Sequence, residues 1–409
     1  MRETMTQTKL VFDPFSEDFF NGPYDTYRRL RQEAPVYYSD QYDFYALSRH
    51  ADVAAAFKNF ATYSSARGVD LAMVRNEDPP PHKSIIMMDP PEHRHMRSLL
   101  NKVFTPRAIQ SLRPMVEEVI DDCVRAVDPA GFDAEFDMVQ DFSALFPIEI
   151  ISRMIGVPAE DRQQMRLWVD EFLHREPGEV EMGERGIRAG TEMAVYLYRL
   201  TKDRRKNLGD DLLSRLITAE IERESGEHGP LDNIEITQFA MLLAGAGAET
   251  VTKLIGNAAV VFARNPDQWR RLLDDPGKVP AAVEELLRYE APAQYNVRCS
   301  LTDVEMHGTT IPAGKPVFLI GGSANRDPDA WTDPDIFDID RDRTEAQNLG
   351  FGYGIHSCLG AALARMESTI ALEKMLDFMP AYEVDWAGCR RVNMQNVAGW
   401  QNVPVRVLR

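Results

Sequence analysis

The chain has 409 residues, of which 44% are hydrophobic and 27% charged; this length allows a deep core, and the composition is typical of soluble globular proteins rather than disordered chains. Its 64 acidic and 46 basic side chains give a net charge of −18, which argues against nucleic acid as the main partner, because phosphate binding needs a basic face. Four cysteines without a C-x-x-C pair argue against a disulfide framework and fit a reducing cytoplasm.

The first two thirds of the chain are predicted to be mostly helical. The N-terminal segment contains no long apolar run, so we expect neither a signal peptide nor a membrane anchor. An amphipathic helix over 23–34 precedes a hairpin over 35–48, which is rich in Tyr and Val. Helical patterns then dominate, with long breaks at 64–92 and 174–190. The first break is expected to be a functional lid or, alternatively, a disordered surface insertion.

The clearest helix is predicted for Asn233–Arg264. It begins with an Asp-x-x-Glu capping signal at Asp232 and ends before an Asn-Pro pair. At about 1.5 Å per residue it would span about 48 Å, which is enough to cross the molecule. Its centre is apolar almost all round, so we expect this helix to be buried.

After residue 291 the pattern changes to short strands separated by glycine and proline turn signals. The predicted elements of this part are strands at 297–301, 304–307 and 310–320, an irregular stretch at 325–348, a helix at about 359–379 and a strand at 403–408. The expected fold class is mainly α with a minor β part. We expect one domain over residues 1–409, with a larger helical part and a smaller β-containing part.

The strongest local signal is the glycine-rich loop around Cys358, which has the sequence FGYGIHSCLG and opens the last long helix. Glycine lets a backbone approach a flat ligand closely. A helix start lowers the pKa of a cysteine thiol and favours the thiolate, which is a nucleophile or a metal ligand. A buried structural cysteine is the alternative. His356 also raises zinc as an option, but no second Cys/His pair stands at a suitable spacing.

A second signal lies in the middle of the long helix. Gly245 and Gly247 each cost about 1 kcal/mol relative to alanine in a helix interior. Glu249 places a carboxylate in an apolar stretch, where an unpaired charge is costly. The hydroxyl of Thr250 can bond back to a carbonyl and loosen the turn. Either this segment admits a ligand with a proton path beside it, or it forms a close helix–helix contact with a paired glutamate.

Two weaker signals are pairs of polar residues one helical turn apart. Glu285 and Arg288 form an i,i+3 pair, which alone would be typical of a solvated surface. His93 and Arg97 share a helix face at i,i+4 and could bind an anion together.

In this order and spacing, these segments resemble the cytochrome P450 superfamily from about residue 10 to the C-terminus. The cysteine loop has every fixed position of the haem signature F-G-x-G-x-H-x-C-x-G. Residues 246–250 match A/G-G-x-D/E-T, and residues 285–288 match E-x-x-R. Further matches to soluble bacterial members are Asp89–His93 with Arg97, Ile311–Gly314, Ala324–Asp327 and Leu363–Glu367.

The resemblance implies haem b as the cofactor, with Cys358 as the ligand of its iron. Because the chain has no C-x-x-C-H motif, the haem would be bound without covalent attachment. The residues that the resemblance implies for haem binding are His93, Arg97, Ala246, Arg298, Phe351, Gly352, His356, Cys358 and Gly360. Four of them, His93, Arg97, Arg298 and His356, stand at the family's propionate-binding positions and would together hold the two haem propionates.

The resemblance also assigns roles to the two polar pairs in the helices. Glu249 and Thr250 would be catalytic: Thr250 would hydrogen-bond oxygen on the iron, and Glu249 would relay protons from solvent. Glu285 and Arg288 would be structural. Many eukaryotic members have an arginine as third partner of that pair where this chain has Ile336, and Arg341 is a candidate substitute.

The activity implied is that of a haem-thiolate monooxygenase, which uses O2 as co-substrate and inserts one oxygen atom into a lipophilic small molecule by C–H hydroxylation or epoxidation. Peroxide-using members of the fold are one alternative, against which the Glu249–Thr250 pair counts. A haem-thiolate sensor without turnover is the other. Electrons would come from NAD(P)H through a ferredoxin reductase and an iron–sulfur ferredoxin, because the chain has no flavin or nicotinamide motif.

The ferredoxin is expected to dock on the cysteine side, near Lys102, Arg107 and Arg365. The protein itself is expected to be a cytoplasmic monomer without a membrane anchor. The substrate pocket would draw on the 64–88 loop and on residues of the long helix and the C-terminal part, namely Leu242, Leu243, Ala246, Gln294, Tyr295, Asn296, Val297, Val397, Ala398 and Trp400. The polar side chains at 294–296 would anchor a substrate or, alternatively, point away and bond the backbone.

Overall fold

The computed structural model describes residues 9–76, 83–127, 135–222 and 228–408. The α-helices of this part are α1 (Glu17–Asn21), α2 (Tyr24–Glu33), α3 (His50–Lys58), α4 (Leu71–Arg75), α5 (Glu92–Val103), α6 (Pro106–Ser111), α7 (Arg113–Val127), α8 (Phe146–Ile155), α9 (Arg162–Leu173), α10 (Glu184–Lys206), α11 (Leu212–Thr218), α12 (Asn233–Arg264), α13 (Pro266–Asp274), α14 (Val279–Tyr289), α15 (Gly321–Ala324) and α16 (Ala361–Phe378). A π-helical segment, Met138–Ser143, precedes α8.

The strands are short and lie mainly in the C-terminal third. They are β1 (Val36–Ser39), β2 (Phe44–Leu47), β3 (Tyr63–Ser64), β4 (Glu135–Asp137), β5 (Glu220–Glu222), β6 (His228–Pro230), β7 (Asn296–Ser300), β8 (Val304–Met306), β9 (Thr309–Ile311), β10 (Pro316–Leu319), β11 (Tyr382–Val384), β12 (Arg390–Arg391), β13 (Trp400–Asn402) and β14 (Pro404–Val407). The largest sheet has the order β1-β2-β10-β7-β3. Its β2–β10 pair is parallel, and the other pairs are antiparallel. The prediction of a mainly α fold with a minor β part is confirmed.

The long helix α12 forms the centre of the protein. Its predicted bounds are confirmed, and so is its capping box: Asp232 accepts hydrogen bonds from the N–H groups of Ile234 and Glu235, and the Glu235 carboxylate accepts one from the N–H of Asp232. It packs against α8, α10, α16 and the π-helical segment. By length and hydropathy it could span a membrane, but 61% of its most apolar window is buried within the protein, as in a core helix.

Three sequence-based boundaries need correction. The predicted strand at 310–320 is two strands, β9 and β10, because a turn with Gly314 at φ +83° interrupts it. The predicted break at 174–190 ends earlier, since α10 begins at Glu184. The predicted break at 64–92 contains the short helix α4, whose N-cap Asp70 accepts a hydrogen bond from the N–H of Met73 at 2.7 Å. Residues 77–82 of that predicted lid lie outside the described residues.

A buried ion network fixes α14 to the irregular segment before the cysteine loop. Arg288 donates two hydrogen bonds of 2.8 Å to the Glu285 carboxylate, and Arg341 Nε donates a third at 3.1 Å. The three side chains are only 1%, 4% and 6% exposed. Arg288 and Arg341 also donate to the backbone carbonyl of Ile336, whose own side chain is exposed. Arg341 therefore supplies the third member of the network, as the sequence allowed, and Ile336 contributes only its backbone.

Replacing Arg341 by Met should lower the free energy of unfolding by about 3 kcal/mol, because it leaves part of the Glu285 charge buried and unpaired. The matched control is Arg343→Met, since Arg343 is exposed two residues further along the chain; it should change stability by less than about 0.5 kcal/mol. Urea denaturation followed by circular dichroism measures both. Equal losses in the free energy of unfolding for the two variants would show that Arg341 does not stabilise the network.

Candidate active site

The cysteine loop is held open by glycines in conformations that other residues rarely adopt. Gly352 and Gly354 have φ values of +67° and +73°. A Cβ at Gly354 would lie 2.5 Å from the carbonyl oxygen of Phe57, so this position requires glycine. The loop closes through a 2.9 Å hydrogen bond from the N–H of Cys358 to the carbonyl of Phe351. These contacts direct the Cys358 side chain toward the cavity described below.

The predicted lowering of the Cys358 pKa is wrong in its net direction. Burial raises the pKa of this thiol above its ordinary value. The N–H of Gly360 and the guanidinium groups of Arg97 and Arg365 act in the opposite direction but do not outweigh burial. Holding the thiolate here would take a cation bound at the sulfur, since metal coordination deprotonates a thiol outright.

One cavity connects the cysteine loop with the middle of α12. Its wall includes Phe351, Gly352, His356, Cys358 and Gly360 on one side. On the other side it includes the predicted residues Leu242, Leu243, Ala246 and Thr250. The cavity therefore joins the two strongest signals of the sequence, which are more than 100 residues apart in the chain, in the arrangement that a flat ligand between loop and helix would need.

The predicted acid–alcohol pair is divided between two faces of α12. Thr250 lines the cavity, and its hydroxyl donates to the carbonyl of Ala246 at 2.9 Å, as the sequence indicated. Glu249 does not line this cavity; its carboxylate lies 3.1 Å from the ammonium group of Lys253, and both side chains are 5% exposed. The helix is continuous through both glycines, and Gly247 allows the side chain of Ile151 to approach closely. Both alternatives for this segment are thus present together: a cavity wall and a close helix contact with a paired glutamate.

Of the three polar side chains predicted as substrate anchors, two are bonded within the protein. Gln294 accepts from the hydroxyl of Tyr27 and donates to the backbone, and Tyr295 donates to the carbonyl of Gln395. Asn296 lines the cavity. Side chains alternate along a strand, which puts Asn296 and Arg298 on the cavity face of β7.

Four further predicted pocket residues lie outside the cavity lining. Val297 points to the opposite face of β7, where it is fully buried in an aromatic core. The Trp400 ring stacks against the guanidinium of Arg391 at 3.9 Å. Val397 and Ala398 pair through their backbones with the segment before β7. The 64–88 loop contributes Ile85 and Ile86 to the cavity wall, which also includes residues that the sequence did not single out, among them Phe57, Phe239, Pro292 and Ala293.

Four basic side chains gather at one edge of the cavity without a carboxylate partner among the described ion pairs. Nε2 of His93 and Nε2 of His356 are both buried and have no hydrogen-bond partner, and the two rings are 4.4 Å apart. Burial lowers the pKa of His93, lowers that of His356 to about 3 and lowers that of Arg298 to about 10. Arg97 donates to the carbonyl of Ser357 at 2.8 Å. Unsatisfied buried donors of this kind are costly, and a ligand with two carboxylates would satisfy them.

The part of the chain that the structure describes contains no metal site made by protein side chains alone. Within the described ranges, no group of three or more His, Cys, Asp and Glu side chains is arranged to hold a metal ion. The zinc alternative for His356 and Cys358 therefore has no support.

Comparisons with known proteins agree with this geometry. The sequence model of the cytochrome P450 family matches residues 18–275 and 278–379. The putative cytochrome P450 123 of Mycobacterium tuberculosis is 38% identical over 98% of this chain and 97% of its own length. Erythromycin C-12 hydroxylase of Saccharopolyspora erythraea is 35% identical over 92% of both. The crystal structure of CYP109E1 from Bacillus megaterium in complex with corticosterone superposes with a TM-score of 0.82 at 30% identity, covering 96% of this chain and all of that one.

The role of Cys358 can be tested by replacing it with His. If the haem iron is held by Cys358, the reduced carbon monoxide complex should lose nearly all of the red-shifted Soret band, because that band requires a thiolate ligand. The same substitution at the half-buried Cys389 should leave the band unchanged. A band that survives in Cys358→His would mean that another residue is the ligand.

Proposed function

The chain belongs to the cytochrome P450 family, and we propose that Cys358 holds the iron of a non-covalently bound haem b at the base of the cavity. The observation that supports this most directly is that Cys358, Thr250 and the four basic side chains described above all line one cavity. Family membership makes the protein a P450 monooxygenase. What we propose in addition is which residues perform each task, what kind of substrate enters and which protein delivers the electrons.

The haem propionates are proposed to lie among His93, Arg97, Arg298 and His356. The two orphaned imidazole nitrogens and the two buried guanidinium groups supply donors for two carboxylates. A neutral imidazole has only one N–H to donate. His356 already hydrogen-bonds the backbone of Met88, so its unpartnered Nε2 would donate to a propionate only in the protonated form, which a neighbouring carboxylate favours.

When bound, the haem would supply the reductive activation of O2 and the transfer of one oxygen atom to the substrate. Cys358 would hold the iron, with the N–H of Gly360 bonded to the sulfur. Thr250 would hold a proton at its hydroxyl on the cavity side of α12. The hydrogen bond from this hydroxyl to the carbonyl of Ala246 fixes the position of the hydroxyl oxygen. Glu249 would supply protons to this region from the side that faces α9. Apolar neighbours would exclude bulk water.

The substrate is proposed to be a lipophilic small molecule. The distal part of the cavity wall is aliphatic and aromatic, with Leu242, Leu243, Phe239 and Ile86 among its members. Asn296 is the polar side chain placed to orient a hydroxyl or carbonyl group of such a molecule. One of the structures similar to this chain was solved with corticosterone, and one relative is named as an erythromycin hydroxylase. Corticosterone is a mainly apolar polycyclic molecule with oxygen substituents, and erythromycin is a macrocyclic one.

Replacing Thr250 by Ala should keep haem and substrate binding but lower the yield of oxygenated product per NAD(P)H by about 10- to 100-fold, because a lost proton donor diverts O2 and electrons to hydrogen peroxide. A substrate is first chosen by its shift of the Soret band. The control is Thr252→Ala, since Thr252 bonds the carbonyls of Ser143 and Ala248 on a buried face of the same helix. Unchanged coupling in Thr250→Ala would rule out the proposed role.

The electron donor is proposed to be a small acidic ferredoxin that docks beside α16, which follows the cysteine loop and packs against α6. Lys102 and Arg107 are exposed on α5 and α6 and have no ion-pair partner among the described residues. Arg365 contributes less than the sequence suggested, because Glu284 neutralises it through two hydrogen bonds of the guanidinium to its carboxylate. The two free cations would locally offset the overall negative charge of the chain.

Reversing Lys102 and Arg107 together to Glu should slow ferredoxin-driven reduction about tenfold at low salt and less at high salt, because exposed charges steer association within a Debye length. The control reverses Arg188 and Arg199, which are exposed on α10, so the total change in charge is the same. Stopped-flow reduction at several ionic strengths measures both. Equal effects of the two double variants would place docking elsewhere.

We also propose that the protein works in the cytoplasm. All four of its cysteines are free, which is the usual state in a reducing compartment. The relatives and the structure described above are bacterial P450 proteins. This location is tested by lysing the bacteria, removing the membranes and measuring how much of the protein remains in the soluble fraction.

A further inference from the structure

The carboxylate of Glu249 belongs to a group of charged side chains between α9 and α12. Lys253 lies one turn further along α12, 3.1 Å from the carboxylate, and both are nearly fully buried. Asp170, on α9, hydrogen-bonds with Glu249 across the helix interface. Arg166, one turn earlier on α9, lies 3.9 Å from Asp170. The group therefore has two carboxyl groups in contact, with one cation beside each of them.

Two carboxyl groups that hydrogen-bond to each other must share one proton, because two carboxylates have only acceptors. Of the two cations, Lys253 lies 3.1 Å from Glu249 and is nearly fully buried, whereas Arg166 lies 3.9 Å from Asp170 and is more exposed. The shared proton is therefore placed on Asp170, the acid with the weaker cation contact. Partial burial and the neighbouring Glu249 raise the pKa of Asp170 to about 7, while Lys253 and Arg166 act in the opposite direction.

The two acids differ in their access to water. The side chain of Asp170 is 40% exposed, whereas that of Glu249 is 5% exposed. Asp170 is therefore the acid nearer to solvent and Glu249 the buried one, and Thr250, the next residue of α12, belongs to the cavity wall. A purely structural ion pair would need only Glu249 and Lys253, and the second acid adds a like charge to it.

The loop after β12 keeps the lysine in place. Gly399 lies against Lys253, and a Cβ at this position would come within 2.6 Å of the Cβ of Lys253 and 3.0 Å of its Cγ. Any larger residue would push the lysine stem aside. The absence of a side chain at Gly399 thus leaves room for the stem of Lys253, whose ammonium group lies beside Glu249.

We propose that Asp170 is a positioning residue for proton delivery: it takes a proton from solvent and passes it to Glu249, which releases it toward the cavity side of α12 and is again left as the partner of Lys253. This inference rests on the proposed role of Glu249. In the step, the O–H bond of Asp170 breaks and one forms at Glu249, and Asp170 regains a proton from water. The two electrons of the monooxygenase reaction come from the redox partner, and only the two protons that accompany them use this route.

The proposal fixes the directions in which three variants change the titration of Asp170. Glu249→Gln removes the neighbouring negative charge, so the pKa of Asp170 should fall. Lys253→Met and Arg166→Gln each remove a cation, so the pKa should rise. The carboxyl resonances of the holoenzyme labelled with ¹³C-aspartate report this directly, and the Asp170 signal is the one missing from Asp170→Asn. Shifts in the same direction for all three variants, or no shift, would overturn the proposal.

Turnover supplies a second, independent measurement. Asp170→Asn should lower the product-forming rate about tenfold, increase the solvent isotope effect and remove the loss of rate above about pH 7 that follows deprotonation of Asp170. Asp170→Glu should restore most of the rate. The matched control, Glu171→Gln, removes the adjacent acid of α9, which pairs with Arg185 at the surface, and should leave all three quantities unchanged.

Failure of this inference differs from failure of the proposed function. If Glu249→Gln changes coupling and the isotope effect but Asp170→Asn does not, the outer role of Asp170 is wrong and the role of Glu249 stands. If neither variant changes them, the proton route through Glu249 is itself wrong. Oxygenation of substrate that persists at the wild-type rate in both would place proton entry at another part of the cavity.

Discussion

The structure depends on the burial of one long helix that must be a core element and a cavity wall at the same time. Along most of its length α12 packs against α8, α10 and α16, and its C-terminal half is buried almost continuously. Burial of this apolar surface is the main stabilising contribution available to the fold. The cysteine loop and β7 are placed around the exposed segment of the same helix, so a change in its packing would displace both sides of the cavity.

Helix geometry explains why the polar pair in this segment is divided. Neighbouring residues of an α-helix point about 100° apart, and the cavity takes in Thr250 and Val251 of this turn but not Glu249. Thr250 is directed to the cavity and Glu249 to α9. A buried carboxylate without a partner would be expensive, and Lys253 reduces that cost through an ion pair of 3.1 Å within the helix itself, although Oε2 of Glu249 makes no hydrogen bond among the described residues. As a result, the face of α12 with Glu249 is turned toward α9 and the more exposed Asp170, and the face with Thr250 lines the cavity.

Buried charges recur in this protein where separate chain segments have to be held together. Glu285 joins two arginines from different segments, and those arginines in turn bind backbone carbonyls of the irregular stretch. Each of these charged side chains makes several hydrogen bonds, and under this condition a buried ion pair does not destabilise a fold. At the cavity edge the opposite holds: His93 and His356 keep unpartnered nitrogens, as expected where a ligand supplies the missing groups.

The sequence by itself determined the fold class, the bounds of α12 and its capping box, and the family resemblance, because these depend on local periodicity and on motifs within a few residues. It did not determine which side chains face the cavity: Val297 and Asn296 differ only by strand alternation, and Tyr295 is turned away by a carbonyl 100 residues distant. The partners of Glu249 across α9 and the neutralised charge of Arg365 were likewise decided by tertiary structure. The physical reason is the same in each case, since a side chain's direction and charge environment depend on contacts between segments far apart in the chain.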